Sequence, residues 1–307
     1  MNFLQRLFSQ PKLHAVGNDH VEHGEPAKTE DNSLVANPSL NNMTPFNQLG
    51  PGLHVGKLSD VGREREQNED SLFAFEAVVQ HDFRQERFGL FIVADGMGGH
   101  QKGEVASALA VRISASTILK DLYLPYLIND QNANNRPLNE ALIAAVQSAN
   151  VAIQKLAAGA GTTLTITVVM GSTAYIAHVG DTRVYLFKED KLKRITQDHS
   201  LAEKLQESGQ FTEEEAAQVQ NVLYKAVGQT DLLDNDIDLH VQQLSPGALL
   251  ILCSDGLWGL VSEQTFQEIL TSAPTPQQAC EQLIRVANEN GGRDNISVII
   301  ISIGIEH

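Results

Sequence analysis

The chain has 307 residues, of which 42% are apolar and 20% charged, enough to bury the core of one large domain or two small ones. Its formal charge of -16, without any block of lysine and arginine, argues against a nucleic-acid partner. No apolar run is long enough to span a bilayer and the N-terminus lacks the apolar core of a signal peptide, so a soluble protein is expected. The two cysteines fit a reducing cytoplasm, which is the expected location.

Residues 1–51 are predicted to form a flexible extension, because they are polar, rich in Asn and Pro and show little periodicity. Met1–Ser9 has apolar side chains at helical spacing, as a segment touching a membrane or a partner would, but so short a helix is marginal and a frayed tail is favoured. His14, His20 and His23 fit no metal-ligand spacing. Residues 52–307 are predicted to be one domain.

Hydrophobic patterns in that domain predict strands and helices in separate blocks. The predicted strands are Leu53–Leu58, Leu72–Val79, Phe88–Ala94, Thr163–Met170, Ala174–Val179, Arg183–Phe187, Ile237–Leu244, Ala248–Cys253 and Ile296–Ile303. The predicted helices are Val105–Thr117, Leu138–Leu156, Ser262–Leu270 and Pro276–Asn290. Turns at 171–172 and 189–190 join consecutive strands, which indicates antiparallel pairing and an α+β fold.

Acidic and glycine-rich segments follow or precede several of the predicted strands. In chain order they are Ser59–Asp70 (SDVGREREQNED), Asp95–His100 (DGMGGH), Gly161–Thr163 (GTT), Gly180–Tyr185 (GDTRVY), Asp198–Ser200 (DHS), Ser254–Trp258 (SDGLW) and Asp294–Ser297 (DNIS). Carboxylates gathered at strand ends repel by about 4 kcal/mol per pair at an effective dielectric of 20, so such a cluster needs cations. A pair of hard divalent metal ions is the natural candidate.

In this order the segments resemble the motifs of the metal-dependent PPM protein phosphatases, the type 2C family, in their bacterial form. The resemblance implies a four-layer α/β/β/α sandwich of two antiparallel sheets flanked by helices, with metals in a cleft between the sheet edges. It implies that Asp95 bridges two ions, that Gly96 offers its carbonyl and that Glu69 adds a ligand. Asp255 and Asp294 would hold the other ion.

The implied cofactors are two Mn²⁺ or Mg²⁺ ions, which prefer oxygen ligands and retain water, with room for a third. Asp70 would be a ligand or a hydrogen-bond acceptor behind the ligands. Asp181 matches the acid that joins the Asp255 position in a third, weaker metal site. The alternative for Asp181 is a turn cap, since a loop aspartate after a strand easily caps a turn.

The implied chemistry is hydrolysis without a covalent intermediate. Two metals about 3.5 to 4 Å apart share a water, lower its pKa and aim it as hydroxide at phosphorus. Arg65 matches the arginine that grips the phosphoryl oxygens, for which a flat bidentate guanidinium is suited. The alternative for Arg65 is a surface salt bridge with Glu64 or Glu66.

The sequence departs from the family pattern at two places. Methionine stands at Met97, where animal members carry a histidine thought to protonate the leaving group; His199 is then a weak candidate for the acid, with helix capping as its alternative. Residues 220–225 also differ from the pieces common in bacterial relatives, which leaves substrate contacts through the flap segment, residues 198–228, undetermined.

The sequence therefore predicts a monomeric serine/threonine protein phosphatase acting on phosphoserine and phosphothreonine proteins, the targets of a serine/threonine kinase. Two alternatives stay open: a catalytically silent relative that binds phosphoproteins, and a metal phosphoesterase acting on small metabolites. A cysteine phosphatase is disfavoured, because the sixth residue after Cys253 is Gly259 and the sixth after Cys280 is Val286, neither an arginine. Both cysteines are predicted to be core thiols.

Overall fold

The structure of the chain is a computed structural model that describes residues 52–81, 84–98, 102–128, 136–208, 219 and 222–304. The predicted N-terminal extension lies outside the described residues, as do the short helix over Met1–Ser9 and the three histidines His14, His20 and His23. These remain predictions. All described residues belong to one unit of the fold.

The described residues form eleven strands, which pair only in antiparallel fashion. They are β1 (Leu53–Asp60), β2 (Asp70–His81), β3 (Arg84–Met97), β4 (Gly161–Thr162), β5 (Leu164–Met170), β6 (Thr173–Val179), β7 (Arg183–Lys188), β8 (Lys191–Arg194), β9 (Asp238–Gln243), β10 (Leu249–Cys253) and β11 (Ile296–Ile303). One sheet has the order β1-β11-β10-β7-β8, and the other has the order β2-β3-β5-β6-β9, with β4 paired to β3.

The helices come in separate blocks between the strands. They are α1 (Lys102–Ile118), continued by a π-helical turn (Leu119–Tyr123) and α2 (Leu124–Leu127), then α3 (Leu138–Leu156), α4 (Leu201–Ser208), α5 (Asp255–Trp258), α6 (Glu263–Ser272) and α7 (Pro276–Glu289). Thr275 caps α7 by accepting a hydrogen bond from the Gln278 N–H, and Pro276 starts its first turn. No helix in the described ranges is both long and apolar enough to cross a membrane.

Alternating side chains on the central strands divide the interior into three apolar layers. In β3, Phe88, Leu90 and Ile92 pack with the inner faces of α1 and α3, whereas Phe91 and Val93 face the opposite sheet. The opposite sheet uses its other face to cover α6 and α7. Burying each such side chain stabilises the fold by about 1.5 to 3 kcal/mol, and the result is a four-layer α/β/β/α sandwich.

Antiparallel pairing brings several acidic motifs to one end of the sandwich. Asp70 begins β2 and lies directly opposite Asp95 in β3. Asp255 comes two residues after the end of β10, and Asp294 comes two residues before the start of the neighbouring β11. The ends of β3 and β10 thus meet the starts of β2 and β11, which gathers carboxylates that are far apart in the chain.

The predicted sandwich and the nine predicted strands are confirmed, with differences in detail. The strand β3 continues past its predicted end at Ala94 to Met97, because Asp95 pairs with β2 and the next two residues pair with β4. The sequence did not predict β4, β8, α2, α4 or α5; each is only two to eight residues long, too short for a periodic signal.

Candidate metal centre

Asp95 is held rigidly near the end of β3. Its backbone N–H donates to Thr163 Oγ1 at 2.8 Å, and its carbonyl accepts from the Thr162 hydroxyl and the Thr163 N–H, both at 2.8 Å. Directly opposite, Asp70 Oδ2 accepts from the Ser254 hydroxyl at 2.8 Å. Two carboxylates thus face each other across one pair of strands, and like charges placed directly opposite each other destabilise the pair.

Gly96 and Gly256 are glycines because other backbone lies where a side chain would begin. A Cβ on Gly96 would come within 2.2 Å of the Gly103 carbonyl oxygen, at the start of α1. A Cβ on Gly256 would come within 2.1 Å of the Asn295 carbonyl oxygen. These close approaches press the start of α1 against β3, and the start of α5 against the segment that precedes β11.

Asn295 connects the segments that carry Glu69 and Asp294. Its side-chain oxygen accepts from the Glu69 N–H at 2.7 Å, and its amide donates to the Val61 and Gln67 carbonyls, both at 2.9 Å. Asn295 was not predicted to be a positioning residue. Its place directly after the predicted ligand Asp294 was the available signal, and its contacts span more than 200 residues of chain.

Arg65 lies at the mouth of the site. Its guanidinium donates to Asp294 Oδ2 at 2.7 Å, and about half of its side chain, 49%, is exposed. The ion pair that the structure gives Arg65 is therefore with a predicted metal ligand and not with Glu64 or Glu66. An exposed guanidinium beside the acids can reach an incoming phosphoryl group.

The buried acids raise one another's pKa. Burial, followed by repulsion from neighbouring aspartates, raises the pKa of Asp95 and Asp181 well above the ordinary range. Burial likewise raises the pKa of Asp70 to about 7 and that of Asp255 to about 6, with nearby carboxylates adding to the effect. Among the described residues, Arg65 forms an ion pair with Asp294 and Arg183 opposes the rise in the pKa of Asp181, so cations compensate the cluster only in part.

Two oxygen atoms show that a cation suits this cluster. Asp70 Oδ1 and Asp255 Oδ1 are fully buried and accept no hydrogen bond from any described residue. Buried carboxylate oxygens without a donor are rare unless an ion or water binds them. The donor set is all oxygen, which is the preference of Mg²⁺ and Mn²⁺.

The acids line one cleft of about 230 Å³. Its described walls carry one cation and five acids: Arg65, Glu69, Asp95, Asp181, Asp255 and Asp294. Among the described residues no three His, Cys, Asp or Glu side chains stand close enough to hold an ion by themselves. Carbonyls such as that of Gly96, together with water, would complete the coordination, as hard ions that keep several waters require.

The structure brings Asp181 to the cleft but does not bring His199 there. Asp181 is 6% exposed, and its carbonyl accepts from the Trp258 indole N–H at 3.0 Å. His199 is buried; its Nδ1 accepts from the Gly180 N–H at 3.2 Å, and its Nε2 lies 3.2 Å from Asp238 Oδ2. Both ring nitrogens are thus engaged, in a place outside the described lining of the cleft.

Backbone contacts of His199 join two loops. Its N–H donates to the Gly180 carbonyl at 2.7 Å, and its carbonyl accepts from the Tyr224 N–H at 2.9 Å. His199 therefore fastens the returning end of the flap segment to the loop that presents Asp181. Met97, which stands where animal members carry a histidine, does line the cleft, whereas residues 209–218 and 220–221 of the flap lie outside the described residues.

Comparisons with known proteins agree with this geometry. The family model described as protein phosphatase 2C matches residues 64–288. A serine/threonine phosphatase stp of Listeria innocua is 33% identical over 257 residues, which cover 81% of this chain and 95% of the relative.

Solved structures show the same fold. The Mycobacterium tuberculosis serine/threonine phosphatase PstP/Ppp has a TM-score of 0.66 and 30% identity, over 82% of this chain and 99% of that one. The catalytic domain of PstP in complex with two manganese ions has a TM-score of 0.64 and 30% identity, with the same coverage. The chain belongs to the protein phosphatase 2C family, as a PPM-type phosphatase of the bacterial form.

Proposed function

We propose that the chain hydrolyses phosphoserine and phosphothreonine in proteins, by attack of water on phosphorus in the acidic cleft. The observation that carries the proposal is the set of buried carboxylates at one end of the sandwich, with two orphaned oxygens on Asp70 and Asp255. Relatives named serine/threonine phosphatases, one of them solved with two manganese ions, support it.

Asp95, Glu69, Asp255 and Asp294 would hold two divalent ions, with the Gly96 carbonyl as a further ligand. Such ions lower the pKa of bound water and neutralise charge on a phosphoryl group. We propose Mn²⁺ or Mg²⁺, and a third ion at Asp181 and Asp255; burial and then the nearby Asp255 carboxylate raise the pKa of Asp181.

The residues of the chain orient the substrate and supply no covalent nucleophile. Arg65 would exchange part of its contact with Asp294 for the phosphoryl oxygens, because both are acceptors for the same guanidinium. Cys253 and Cys280 are buried, and burial raises the pKa of each thiol to about 12, so neither forms a thiolate near neutral pH.

Both cysteines are free, which confirms the prediction of core thiols and supports the proposal of a reducing, cytoplasmic location. The acidic net charge supports the absence of a nucleic-acid partner. We propose a monomer that removes phosphates placed by a serine/threonine kinase.

The deciding experiment compares substrates at fixed metal. Phosphothreonine and phosphoserine peptides, sugar phosphates and nucleotides are assayed with Mn²⁺, with Mg²⁺ and with chelator, and Asp95→Asn serves as the inactive control. Metal-dependent release of phosphate from peptides is expected. Preference for the metabolites would show a small-molecule phosphoesterase, and no turnover with any metal would show a silent phosphoprotein binder.

A further inference from the structure

A second cavity adjoins the acidic cleft. It has a volume of about 560 Å³ and shares Met97 and Gly98 with the cleft, so the two lie side by side. We call it the side groove; residues 159–161 and 228–231, with Tyr224 and Ala226, form its remaining described lining. A molecule with its phosphate among the acids can therefore extend into this groove without leaving the surface.

The floor of the side groove is built in advance of any ligand. Thr162 and Val227 exchange two backbone hydrogen bonds of 2.9 Å, and Gly161 pairs with Met97 of β3. Gly228 has φ +108° and donates its N–H to Asn150 Oδ1 at 2.6 Å. A Cβ on Gly228 would lie 2.6 Å from the Ala160 carbonyl oxygen, so only glycine fits there.

The groove has an aromatic wall. Tyr224 is 42% exposed, and its ring lies 5.8 Å from the buried ring of His199, whose carbonyl accepts the Tyr224 N–H. Lys204 and Lys225 hold their ammonium groups 5.3 and 5.8 Å from the Tyr224 ring, and Lys225 also lies 3.5 Å from Asp236. The ring contact and the backbone hydrogen bond with His199 thus hold Tyr224 in place.

The described lining of the groove has one charged side chain, and that side chain is negative. Asp231 is exposed and is the one acidic side chain among the described residues that line the groove. The structure gives it no hydrogen bond or ion pair with another described residue, whereas Lys225 beside Tyr224 already has Asp236 as its partner. A cationic group that enters the groove therefore finds an uncompensated carboxylate.

We propose that the side groove binds the peptide segment beside the phosphorylated residue, and that Asp231 selects a basic side chain there. The long apolar stem of arginine or lysine suits a floor of small residues beside Tyr224, and its charged head suits Asp231. An extended chain advances by about 3.5 Å per residue, so a neighbour one to three residues from the phosphate reaches the groove. This inference rests on the proposed function and adds a substrate preference to it.

The test uses phosphothreonine peptides that differ in one residue. Arginine, alanine or glutamate is placed at each position within about three residues of the phosphothreonine, a range set by the reach of an extended chain. The full chain with Mn²⁺ should show a higher kcat/KM for arginine than for alanine at one or more positions. The expected ratio is about threefold to fivefold, as for an exposed ion pair.

Two substitutions assign that ratio to Asp231. Asp231→Asn should bring the arginine-to-alanine ratio close to one, and Asp231→Lys should reverse the preference in favour of glutamate. Asp234→Asn is the matched control, because Asp234 is an exposed acid three residues away that is not part of the described groove lining. It should keep the wild-type ratio.

Tyr224 offers a second readout. Tyr224→Ala should raise KM for the arginine peptide more than for p-nitrophenyl phosphate, which is too small to reach the groove, and Tyr224→Phe should restore the wild-type KM. Peptide hydrolysis without a preference for arginine, or with a preference that survives Asp231→Asn, would overturn the groove inference alone. Failure of the wild-type chain to hydrolyse any phosphopeptide would overturn the proposed function itself.

Discussion

Arg65 occupies the point where the acidic cleft opens to solvent, with its guanidinium 2.7 Å from Asp294. Arg65→Ala should lower kcat/KM on a phosphothreonine peptide by about 10- to 100-fold, because charge-assisted hydrogen bonds contribute about 1.5 to 3 kcal/mol. Steady-state kinetics measures the change. Arg63→Ala removes the same charge from the same segment, and the side chain of Arg63 donates to the Asn288 carbonyl rather than to a cleft acid. Equal losses in the two variants would remove Arg65 from the phosphate site.

His199 is buried with both ring nitrogens engaged, and burial lowers its pKa, so it is held neutral. We expect it to position the flap and the Asp181 loop rather than to protonate the leaving group. His199→Gln should then change kcat by the same factor for p-nitrophenyl phosphate and for an alkyl phosphate. A general acid would instead show about a 100-fold or larger loss confined to the alkyl ester, whose leaving group needs the proton.

At the scale of elements, Arg183 joins β7 to two segments around the cleft. It donates to both carboxylate oxygens of Asp198 at 2.7 to 3.1 Å and stacks 3.5 Å above the ring of Trp258 in α5. Asp198 is 3% exposed, and Arg194, at 3.6 Å, is its other cationic neighbour. The start of the flap, the Asp181 loop and the helix of Asp255 are thus connected through one guanidinium.

Loss of this connection should be visible in stability. Arg183→Ala is expected to lower the free energy of unfolding by about 3 kcal/mol, since it leaves the buried Asp198 carboxylate with the more distant Arg194 in place of a close ion pair. Urea denaturation measures it, and the double variant Arg183→Ala/Asp198→Asn should regain part of the loss because no stranded charge remains. Strictly additive losses would contradict this explanation.

Sequence patterns predicted the strands and the acidic site residues, but not which strands pair or which polar side chains hold the acids in place. Long apolar runs such as β11 are buried on both faces, so their existence could be read from composition alone. The pairing of β1 with β11 links residues more than 230 positions apart, and no local signal encodes it. The same holds for Asn295 and Ser254, whose polar side chains resemble ordinary turn residues until the fold places them behind Glu69 and Asp70.

At the scale of the whole molecule, the boundary near residue 51 can be tested directly. Gly304 donates its N–H to the Gly52 carbonyl at 2.9 Å, so the first and last described residues of the domain are hydrogen-bonded to each other. A chain of residues 52–307 should therefore unfold at the same temperature as the full chain and retain its kcat/KM. A fall in melting temperature on removal of residues 1–51 would move the boundary toward the N-terminus.

Repulsion among the cleft acids should appear as a dependence of global stability on pH and metal. The pKa of Asp70, raised by burial to about 7, exceeds the value of about 3.9 in an unfolded chain. Between these values the folded state binds the extra proton, so this carboxyl destabilises the metal-free fold increasingly as pH rises from about 4 to about 7. Buried histidines with lowered pKa, His178 and His199, act in the opposite sense below about pH 6.5.

Comparing Asp70→Asn with the wild type isolates the contribution of Asp70, because both proteins contain His178 and His199. In chelator, the melting temperature of Asp70→Asn minus that of the wild type should grow from pH 5 to pH 8, since the variant carries no charge to repel Asp95 and Asp255. With saturating Mn²⁺ the variant should instead melt at a lower temperature than the wild type, because ions offset the repulsion in the wild type and bind the variant less tightly. A difference that depends on neither pH nor Mn²⁺, measured by thermal unfolding, would mean that Asp70 does not belong to a cation-binding cluster.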